Sequence, residues 1–255
     1  MAEPVFTGVG VALITLFDGD GEVDAPATAE LAARLVEAGM QAVVVAGSTG
    51  EGAALAADER TDLLDAVRAT VDGAVPVLAG TGAPSARQAA ALTVEAVEHG
   101  ADAVLTLSPP RSSNLEGYYT AVTQAAGATP VLAYHYPNAS APGIPVEVLP
   151  TLPVAGLKDS SGEPERLLRE LTEWDRPIYV GSSAILSFAG PLGCAGAILA
   201  LANAESERCA AAFAGDVRAQ RDLTAAHVAA HEQFPRRLKE MVAERFGTSP
   251  VARMA

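Results

Sequence analysis

Alanine-rich amphipathic segments alternate with short β-branched runs along most of this chain. The amphipathic stretches Ala27–Ala38 and Ser85–His99 each end at a glycine, and an apolar run follows each: Ala42–Val45 and Ala103–Leu105. The same sequence of features occurs again just before Gly196–Leu199. A glycine that closes a helix in the left-handed conformation, followed directly by a strand, is typical of a βα repeat.

Eight apolar runs are predicted to be strands, with helical stretches between them that begin near residues such as Asn114, Pro145 and Ser182. They are Gly10–Leu16, Ala42–Ala46, Val75–Ala79, Ala103–Leu107, Val131–His135, Val154–Lys158, Ile178–Gly181 and Gly196–Ala200. Most are continuously apolar rather than alternating, as expected when both faces of a parallel sheet are buried.

Eight such units in sequence predict an α/β fold, a (β/α)₈ TIM barrel, and 255 residues is a fitting length for one. A doubly wound open sheet is the alternative. We expect a single domain over residues 1–255, with the barrel core in 1–202. Residues 203–255 would form the eighth helix and a short C-terminal helical extension, interrupted at Gly215, Pro235 and Gly247.

The composition narrows the class of protein. Hydrophobic residues make up 49% of the chain, which is enough for a sizeable core, and the net charge of −14 disfavours nucleic acid or an anionic membrane as partner. No apolar stretch is long enough to span a membrane, and the first residues do not have the pattern of a signal peptide. Cys194 and Cys209 fit buried thiols, so we expect a protein of the reducing cytoplasm.

Lys158 is unusual in a chain where arginine supplies nearly every positive charge. Only Lys158 and Lys239 are lysines among the seventeen basic residues, and Lys158 closes an apolar run that a small polar turn follows. Unlike arginine, lysine loses its proton when desolvated and becomes a nucleophilic amine. The competing interpretation is a strand-end cation paired with Asp159 or another nearby carboxylate.

Other polar groups follow the predicted strands and would converge at the carboxyl-terminal face of a closed barrel. The turn Gly47–Glu51 offers hydroxyls and backbone N–H groups suited to a carboxylate, although an ordinary βα turn also favours such residues. Tyr134 is a candidate to donate and accept a proton, or else a core aromatic with a satisfied hydroxyl. Of the four histidines, His227 and His231 are four apart without a metal-helix motif, so a solvated helix face is expected.

Three motifs in register resemble the dihydrodipicolinate synthase / N-acetylneuraminate lyase family. They are Gly47–Glu51 (Gly-Ser-Thr-Gly-Glu), Tyr134-x-x-Pro137 and Gly156–Gly162 (Gly-Leu-Lys-Asp-Ser-Ser-Gly), with weaker similarity from about Val5 to Asn203. The resemblance implies a (β/α)₈ barrel, usually a homotetramer, that forms a Schiff base between a lysine and a 2-oxo acid, most often pyruvate. It implies a lyase or aldolase that needs no cofactor and no metal.

The resemblance also implies roles for individual residues. Lys158 would be the Schiff-base lysine and Tyr134 the tyrosine that moves protons, with Ser48 assisting. Ser48 and Thr49 would hold the pyruvate carboxylate, and the backbone of Ile198 would face the bound pyruvate.

Departures from the family pattern bear on the second substrate. Alanine stands at Ala139, where the lysine-pathway synthases usually have an arginine for the aldehyde's carboxylate, and Pro110-Arg111 replaces a tyrosine that reaches a neighbouring subunit. We therefore expect small-molecule partners, a 2-oxo acid and an aldehyde, for a homotetramer or homodimer that is not a lysine-pathway enzyme. The alternatives are that synthase itself, a 2-keto-3-deoxy sugar-acid aldolase or dehydratase, and a barrel that binds a 2-oxo acid without turnover.

Overall fold

The computed structural model describes residues 3–254, and its eight strands form a closed barrel. The strands are β1 Gly8–Ala12, β2 Val43–Val45, β3 Val77–Gly80, β4 Ala103–Leu107, β5 Val131–His135, β6 Gly156–Asp159, β7 Ile178–Val180 and β8 Gly196–Leu199. Each pairs in parallel with the next, and β8 closes the ring by pairing with β1, for example Val11 opposite Leu199. The prediction of a (β/α)₈ barrel is confirmed.

Ten α-helices and three 3₁₀-helices accompany the strands in the described residues. The α-helices are α1 Ala25–Glu37, α2 Ala57–Val71, α3 Ala86–Glu98, α4 Leu115–Ala126, α5 Pro164–Glu173, α6 Leu186–Ala189, α7 Ser206–Phe213, α8 Val217–Asp222, α9 Thr224–His231 and α10 Arg236–Phe246. The 3₁₀-helices are Gly52–Ala54, Val146–Thr151 and Leu201–Asn203. The helical stretch expected after Pro145 is thus only a 3₁₀ segment, and Pro150 within it lacks the N–H that an α-helix would need.

Helix ends follow the local sequence signals. The side chain of Ser85 caps α3 and that of Asn114 caps α4, each accepting a hydrogen bond from the backbone N–H three residues on. Gly39 and Gly100 follow α1 and α3 with φ of +95° and +77°, the left-handed conformation expected of a closing glycine.

The first strand is shorter than its apolar run predicts. Residues 13–16 are buried but irregular, because side chains replace the regular ladder as hydrogen-bond acceptors there: Asn203 Oδ1 accepts from Ile14 N (3.1 Å) and Thr28 Oγ1 from Leu16 N (3.0 Å). The predicted strand Gly10–Leu16 therefore ends at Ala12, and Asn203 Nδ2 donates to the Ala12 carbonyl (2.7 Å). Apolar patterning alone cannot distinguish buried coil from buried strand.

The amino-terminal end of the barrel is closed by aromatic side chains. Phe6 and Tyr179 lie 4.7 Å apart between ring centroids, and the Tyr179 hydroxyl donates to the Phe6 carbonyl (3.0 Å). Both belong to the apolar cluster that fills the barrel interior, while a second, larger cluster joins the sheet to the helices. This leaves the carboxyl-terminal end of the strands as the open end.

Two further expectations from the sequence are buried cysteine thiols and the lack of a membrane-spanning helix. Cys194 and Cys209 are both buried and free, and burial raises the pKa of each thiol to about 12. Within residues 3–254 we find no helix with both the length and the apolar character that crossing a bilayer requires.

Candidate active site

A cavity of about 500 Å³ opens at the carboxyl ends of the strands. Four of the residues singled out in the sequence line it together: Ser48, Thr49, Tyr134 and Lys158. A cavity of about 670 Å³ lies at the opposite end, beside the amino-terminal ends of β7 and β8, and its lining includes Trp174, Asp175 and Arg176. Because barrel enzymes place their chemistry at the carboxyl ends of the strands, the smaller cavity is the candidate active site.

Lys158 lies on β6 between Tyr134 of β5 and Tyr179 of β7 and is only 4% exposed. Gly181, just after β7, makes room for it: a Cβ there would lie 3.0 Å from Lys158 Cε and would collide with Ser160. Within the described chain, Lys158 has no carboxylate within ion-pairing distance. Burial lowers the pKa of its amine to about 7, so about half of the molecules carry a neutral amine at pH 7.

Asp159 is not the partner of Lys158, although it is the next residue. Its carboxylate accepts from Ser161 N (2.7 Å) and Ser161 Oγ (2.9 Å) and lies 3.5 Å from Arg166 Nε. Successive side chains of a strand point to opposite faces, so Asp159 lies on the helix side of the sheet. The ion-pair interpretation of Lys158 with Asp159 is therefore wrong.

Tyr134 lies beside the amine, with Lys158 Nζ 4.2 Å from the centroid of its ring. Ser160 Oγ donates to the tyrosine hydroxyl at 3.5 Å, and the ring stacks on Tyr136 at 5.9 Å. Burial raises the pKa of Tyr134, while hydrogen bonds with Ser160 and Ser48 partly oppose that rise. The hydroxyl is therefore protonated at neutral pH and can both donate and accept a hydrogen bond.

The turn Gly47–Glu51 after β2 carries Ser48 and Thr49 to the cavity in an unusual backbone conformation. Ala46 and Glu51, at its two ends, have φ of +52° and +54°, a region that non-glycine residues rarely adopt. Glu51 N donates to Ser48 O (3.2 Å) and Gly52 N to Gly47 O (3.0 Å), which holds the turn tightly. Such strain persists only where the surroundings fix it.

Glu51 is what fixes the far end of this turn. Its carboxylate is completely buried, forms an ion pair with the equally buried Lys239 of α10, and accepts from Arg253 N (2.8 Å) and Met254 N (2.6 Å). Arg253 in turn binds Glu59 of α2 through two hydrogen bonds, of 2.7 and 2.8 Å. The segment 251–254 and the candidate carboxylate-binding turn are thus joined through one side chain. The sequence contained a signal for this anchor, since Lys239 is the only other lysine.

Three other residues singled out in the sequence do not line this cavity: Ile198, Ala139 and Arg111. Ile198 is buried in the barrel interior and is not a lining residue of the cavity, although its successors Leu199 and Leu201 are. Ala139 lines a smaller adjoining cavity, of about 250 Å³, that also contacts Ser48 and Tyr134. Arg111 is exposed and lines neither cavity.

His227 and His231 differ from expectation, because both line the cavity instead of forming only a solvated face. They lie on α9, which packs across the open end of the barrel next to Phe234. Histidines four apart predict a shared helix face, but only the tertiary structure shows what that face contacts.

No three His, Cys, Asp or Glu side chains cluster as potential metal ligands in the part of the chain that the structure covers. His135, the last residue of β5, is buried, and its Nδ1 accepts a hydrogen bond from Ile144 N (2.8 Å). Burial lowers its pKa to about 3. It therefore supports the loop after β5 as a neutral group.

The fold and this cavity define a (β/α)₈ barrel whose candidate site holds a buried lysine at the carboxyl ends of the strands. The chain belongs to the dihydrodipicolinate synthetase family, whose model matches residues 5–249. The resemblance found in the sequence is confirmed, and members of this family are lyases and aldolases.

Relatives agree with this assignment. A 4-hydroxy-tetrahydrodipicolinate synthase of Pseudomonas aeruginosa is 35% identical over 232 residues, covering 85% of this chain and 79% of the relative. A protein of Halobacterium salinarum described as a DapA-like lyase is 35% identical over 208 residues, or 78% of this chain and 68% of the relative. Among solved structures, the Escherichia coli K12 prophage protein YagE, of the dihydrodipicolinic acid synthase family and in complex with pyruvate, superimposes with a TM-score of 0.90 at 25% identity. That superposition covers 98% of this chain and 92% of YagE.

Proposed function

We propose that this protein is a Schiff-base lyase or aldolase that joins pyruvate to an aldehyde or cleaves the corresponding 2-oxo acid. The observation that carries the proposal is Lys158, a buried amine without a counter-ion in the described structure, whose pKa of about 7 makes it a nucleophile at neutral pH. Tyr134 and the Ser48-Thr49 turn share its cavity, which supports a common role in one reaction.

The chemistry proceeds through an imine. The Lys158 amine adds to the keto carbon of pyruvate, and the keto oxygen leaves as water. The protonated imine withdraws electrons, so the adjacent methyl carbon loses a proton and becomes an enamine. That carbon then bonds to the aldehyde carbon, the aldehyde oxygen gains a proton, and water releases the product from the lysine. Cleavage runs through the same steps in reverse.

Other residues near Lys158 transfer protons and bind the carboxylate of pyruvate. Tyr134, protonated at neutral pH, carries protons to and from the reacting oxygen, and Ser48 of the turn Gly47–Glu51 assists by hydrogen bonding to it. Ser48 and Thr49 hold the carboxylate of pyruvate through hydroxyl and backbone N–H groups. Ile198 of β8 does not line the cavity, so a contact of its backbone with bound pyruvate stays a prediction.

Reductive trapping tests the mechanism. Borohydride added with pyruvate should leave a reduced adduct on the peptide that contains Lys158, read by mass spectrometry. Lys239 is the internal control, because its amine is ion-paired with Glu51 and away from the cavity. Label on Lys239, or none at saturating pyruvate, would contradict the proposal.

We further propose that aspartate semialdehyde is a poor acceptor. Alanine at Ala139 and the exposed position of Arg111 support a site without the usual guanidinium for a second carboxylate. Arg60, which lines the adjoining cavity, donates instead to the carbonyls of Gly52 and Gly80. Loss of such a bidentate contact costs about 2–4 kcal/mol, or roughly 30- to 1,000-fold in kcat/KM. A measured kcat/KM near ~10⁵ M⁻¹s⁻¹ for pyruvate with aspartate semialdehyde, ordinary for a dedicated enzyme, would show instead a lysine-pathway synthase.

Metal independence and assembly belong to the same proposal. Activity should survive EDTA, because the imine supplies the electron sink that a metal ion gives other aldolases. Loss of activity that added metal restores would favour the metal-dependent mechanism. We expect a cytoplasmic homotetramer or homodimer, which light scattering of the purified protein would test.

A further inference from the structure

One part of the cavity wall is formed by α9 and the loop after β7. His227 and His231 of α9 line it together with Ser182 and Ser183 from the loop after β7. In the described structure no Asp or Glu lines the cavity, and Lys158 is its only lysine or arginine. For a chain with a net charge of −14, this is a locally neutral and hydroxyl-rich surface.

Hydrogen bonds fix the two imidazoles relative to one another. Ser183 Oγ and His227 Nδ1 are 2.7 Å apart, and His231 Nδ1 lies 2.7 Å from the backbone oxygen of His227. The ring centroids are 4.4 Å apart. Gln220 of α8 holds the serine loop by donating to Ser183 O at 2.9 Å. The pair is therefore positioned by α8, α9 and the loop after β7 together.

These contacts limit where the ring protons can lie. A carbonyl oxygen only accepts, so His231 Nδ1 carries a proton, and in the neutral imidazole Nε2 is then an acceptor. Either atom can be the donor in the hydrogen bond between Ser183 Oγ and His227 Nδ1; where the serine hydroxyl donates, a neutral His227 carries its proton on Nε2. Burial, with a smaller effect of His231, lowers the pKa of His227 and favours this neutral form.

When Ser183 is the donor and both imidazoles are neutral, one free ring nitrogen donates and the other accepts. A hydroxyl group matches this pair, because it accepts one hydrogen bond and donates one. A carboxylate matches it poorly, because it only accepts. An aliphatic group would leave both nitrogens without partners once water is displaced, which is the more costly arrangement.

We propose that His227 and His231 recognise a hydroxyl group of the aldehyde moiety, so that the substrate is a hydroxylated aldehyde or the 2-oxo acid formed from it. This inference rests on the proposed function, since it assumes that pyruvate occupies Lys158 and that the aldehyde lies between the lysine and α9. A cavity of about 500 Å³ accommodates a polyhydroxylated acid of this kind.

Two aldehydes of equal chain length test the proposal. Glyceraldehyde carries two hydroxyls, and propionaldehyde carries none. The wild-type protein should condense pyruvate with glyceraldehyde at a kcat/KM at least roughly tenfold higher, as expected for one or two matched hydrogen bonds. Succinic semialdehyde, whose distal group is a carboxylate, should be the poorer acceptor as well.

Variants of His227 test whether this side chain causes the preference for glyceraldehyde over propionaldehyde. His227→Leu should lose roughly 10- to 100-fold in kcat/KM for glyceraldehyde and remain within about threefold for propionaldehyde. His227→Gln, whose amide reaches near the position of Nε2, should recover part of the loss. His99→Leu is the matched control, because His99 ends α3 on the outer surface, paired with Asp65.

The outcomes separate this inference from the proposed function. Equal losses for both aldehydes in His227→Leu, or a wild-type protein that does not prefer glyceraldehyde, overturn the hydroxyl assignment. Preference for succinic semialdehyde overturns it in favour of an anion site. Borohydride trapping of pyruvate should be unchanged in His227→Leu, and if wild-type Lys158 is not trapped at all, the proposed function and this inference fall together.

Discussion

Burial lowers the pKa of Lys158 in this chain. The first cause of its lowered pKa is desolvation, and no neighbouring cation is needed. Arginine at this position would stay protonated and could not become a nucleophile, which explains why a lysine is present where arginine is the usual cation. The sequence singled out Lys158 by its type of side chain and its place at a strand end but left the ion-pair alternative open, and the role of Lys158 as nucleophile stays a prediction. The sequence did not predict the Ser160 contact or the space left by Gly181, which depend on neighbouring strands.

Imine formation should follow the titration of this amine. With a pKa of about 7, the neutral fraction rises from about 9% at pH 6 to about 91% at pH 8. The initial rate of trapping with subsaturating pyruvate and cyanoborohydride should therefore rise roughly tenfold over this range and level off above it. A rate that keeps increasing tenfold per pH unit up to pH 10 would mean that the amine keeps its ordinary pKa.

Tyr134→Phe should separate imine formation from turnover. The phenyl ring keeps the packing beside Lys158, but the proton carrier is lost, so kcat should fall by roughly 10²- to 10⁴-fold. Pyruvate should still be trapped on Lys158. Tyr118→Phe serves as the control, because the Tyr118 hydroxyl bonds to the backbone near Ala83 outside the site cavity. Unchanged turnover in Tyr134→Phe would remove the tyrosine from the mechanism.

At the scale of elements, apolar patterning predicted the strands more accurately than the contacts that fix their ends and the turns between them. The bounds of β4 and β5 match the predicted runs, whereas β1 ends early because Asn203 and Thr28 supply side-chain acceptors from distant parts of the chain. The turn after β2 was recognised by its composition. Its anchor was not, because Glu51 and Arg253 are 202 residues apart and only the closed barrel brings them together.

This anchor predicts a kinetic effect of a residue outside the cavity. Glu51→Gln keeps the shape of the side chain but removes the counter-ion of buried Lys239, which should cost about 3 kcal/mol of unfolding free energy. The loosened turn should also raise KM for pyruvate more than it lowers kcat, since Ser48 and Thr49 would be less well positioned. Urea unfolding and steady-state kinetics measure the two effects.

Glu240→Gln is the matched control for that substitution. Glu240 pairs with Arg236 and Arg237 at the surface of α10, and such pairs contribute little to stability. Stability and KM should both stay near wild type. If Glu51→Gln behaves in the same way, the turn does not depend on its link to the segment 251–254.

At the scale of the whole molecule, the C-terminal helices complete a site that the barrel begins. The segment 251–254 holds the turn after β2, and side chains of α9 line the cavity. Sequence reasoning predicted these helices and their interruptions but gave them no role in the site. Helical periodicity shows which residues share a face, whereas the surface that the face contacts is set by how the chain returns over the barrel.

The two lysines should affect the stability of the whole protein in opposite directions. Folding without pyruvate must deprotonate Lys158 or bury its charge. Because the pKa is about 7 in the folded protein and near 10.5 in the unfolded chain, the unfolded state binds the extra proton between these values, and stability rises with pH in that window. Lys158→Met removes this cost, so the variant should be more stable by about 4 kcal/mol at pH 7 and by only about 1 kcal/mol at pH 10.

Lys239→Met should do the reverse, because it leaves the buried Glu51 carboxylate without its cation and should cost about 3 kcal/mol. Chemical unfolding of the wild type and both variants at pH 7 and pH 10 measures these differences. A stability gain in Lys158→Met that does not shrink at pH 10 would reflect packing rather than titration. A loss at both pH values would likewise reflect packing, whereas a loss confined to pH 7 would mean that Lys158 is charged and stabilised in the folded protein.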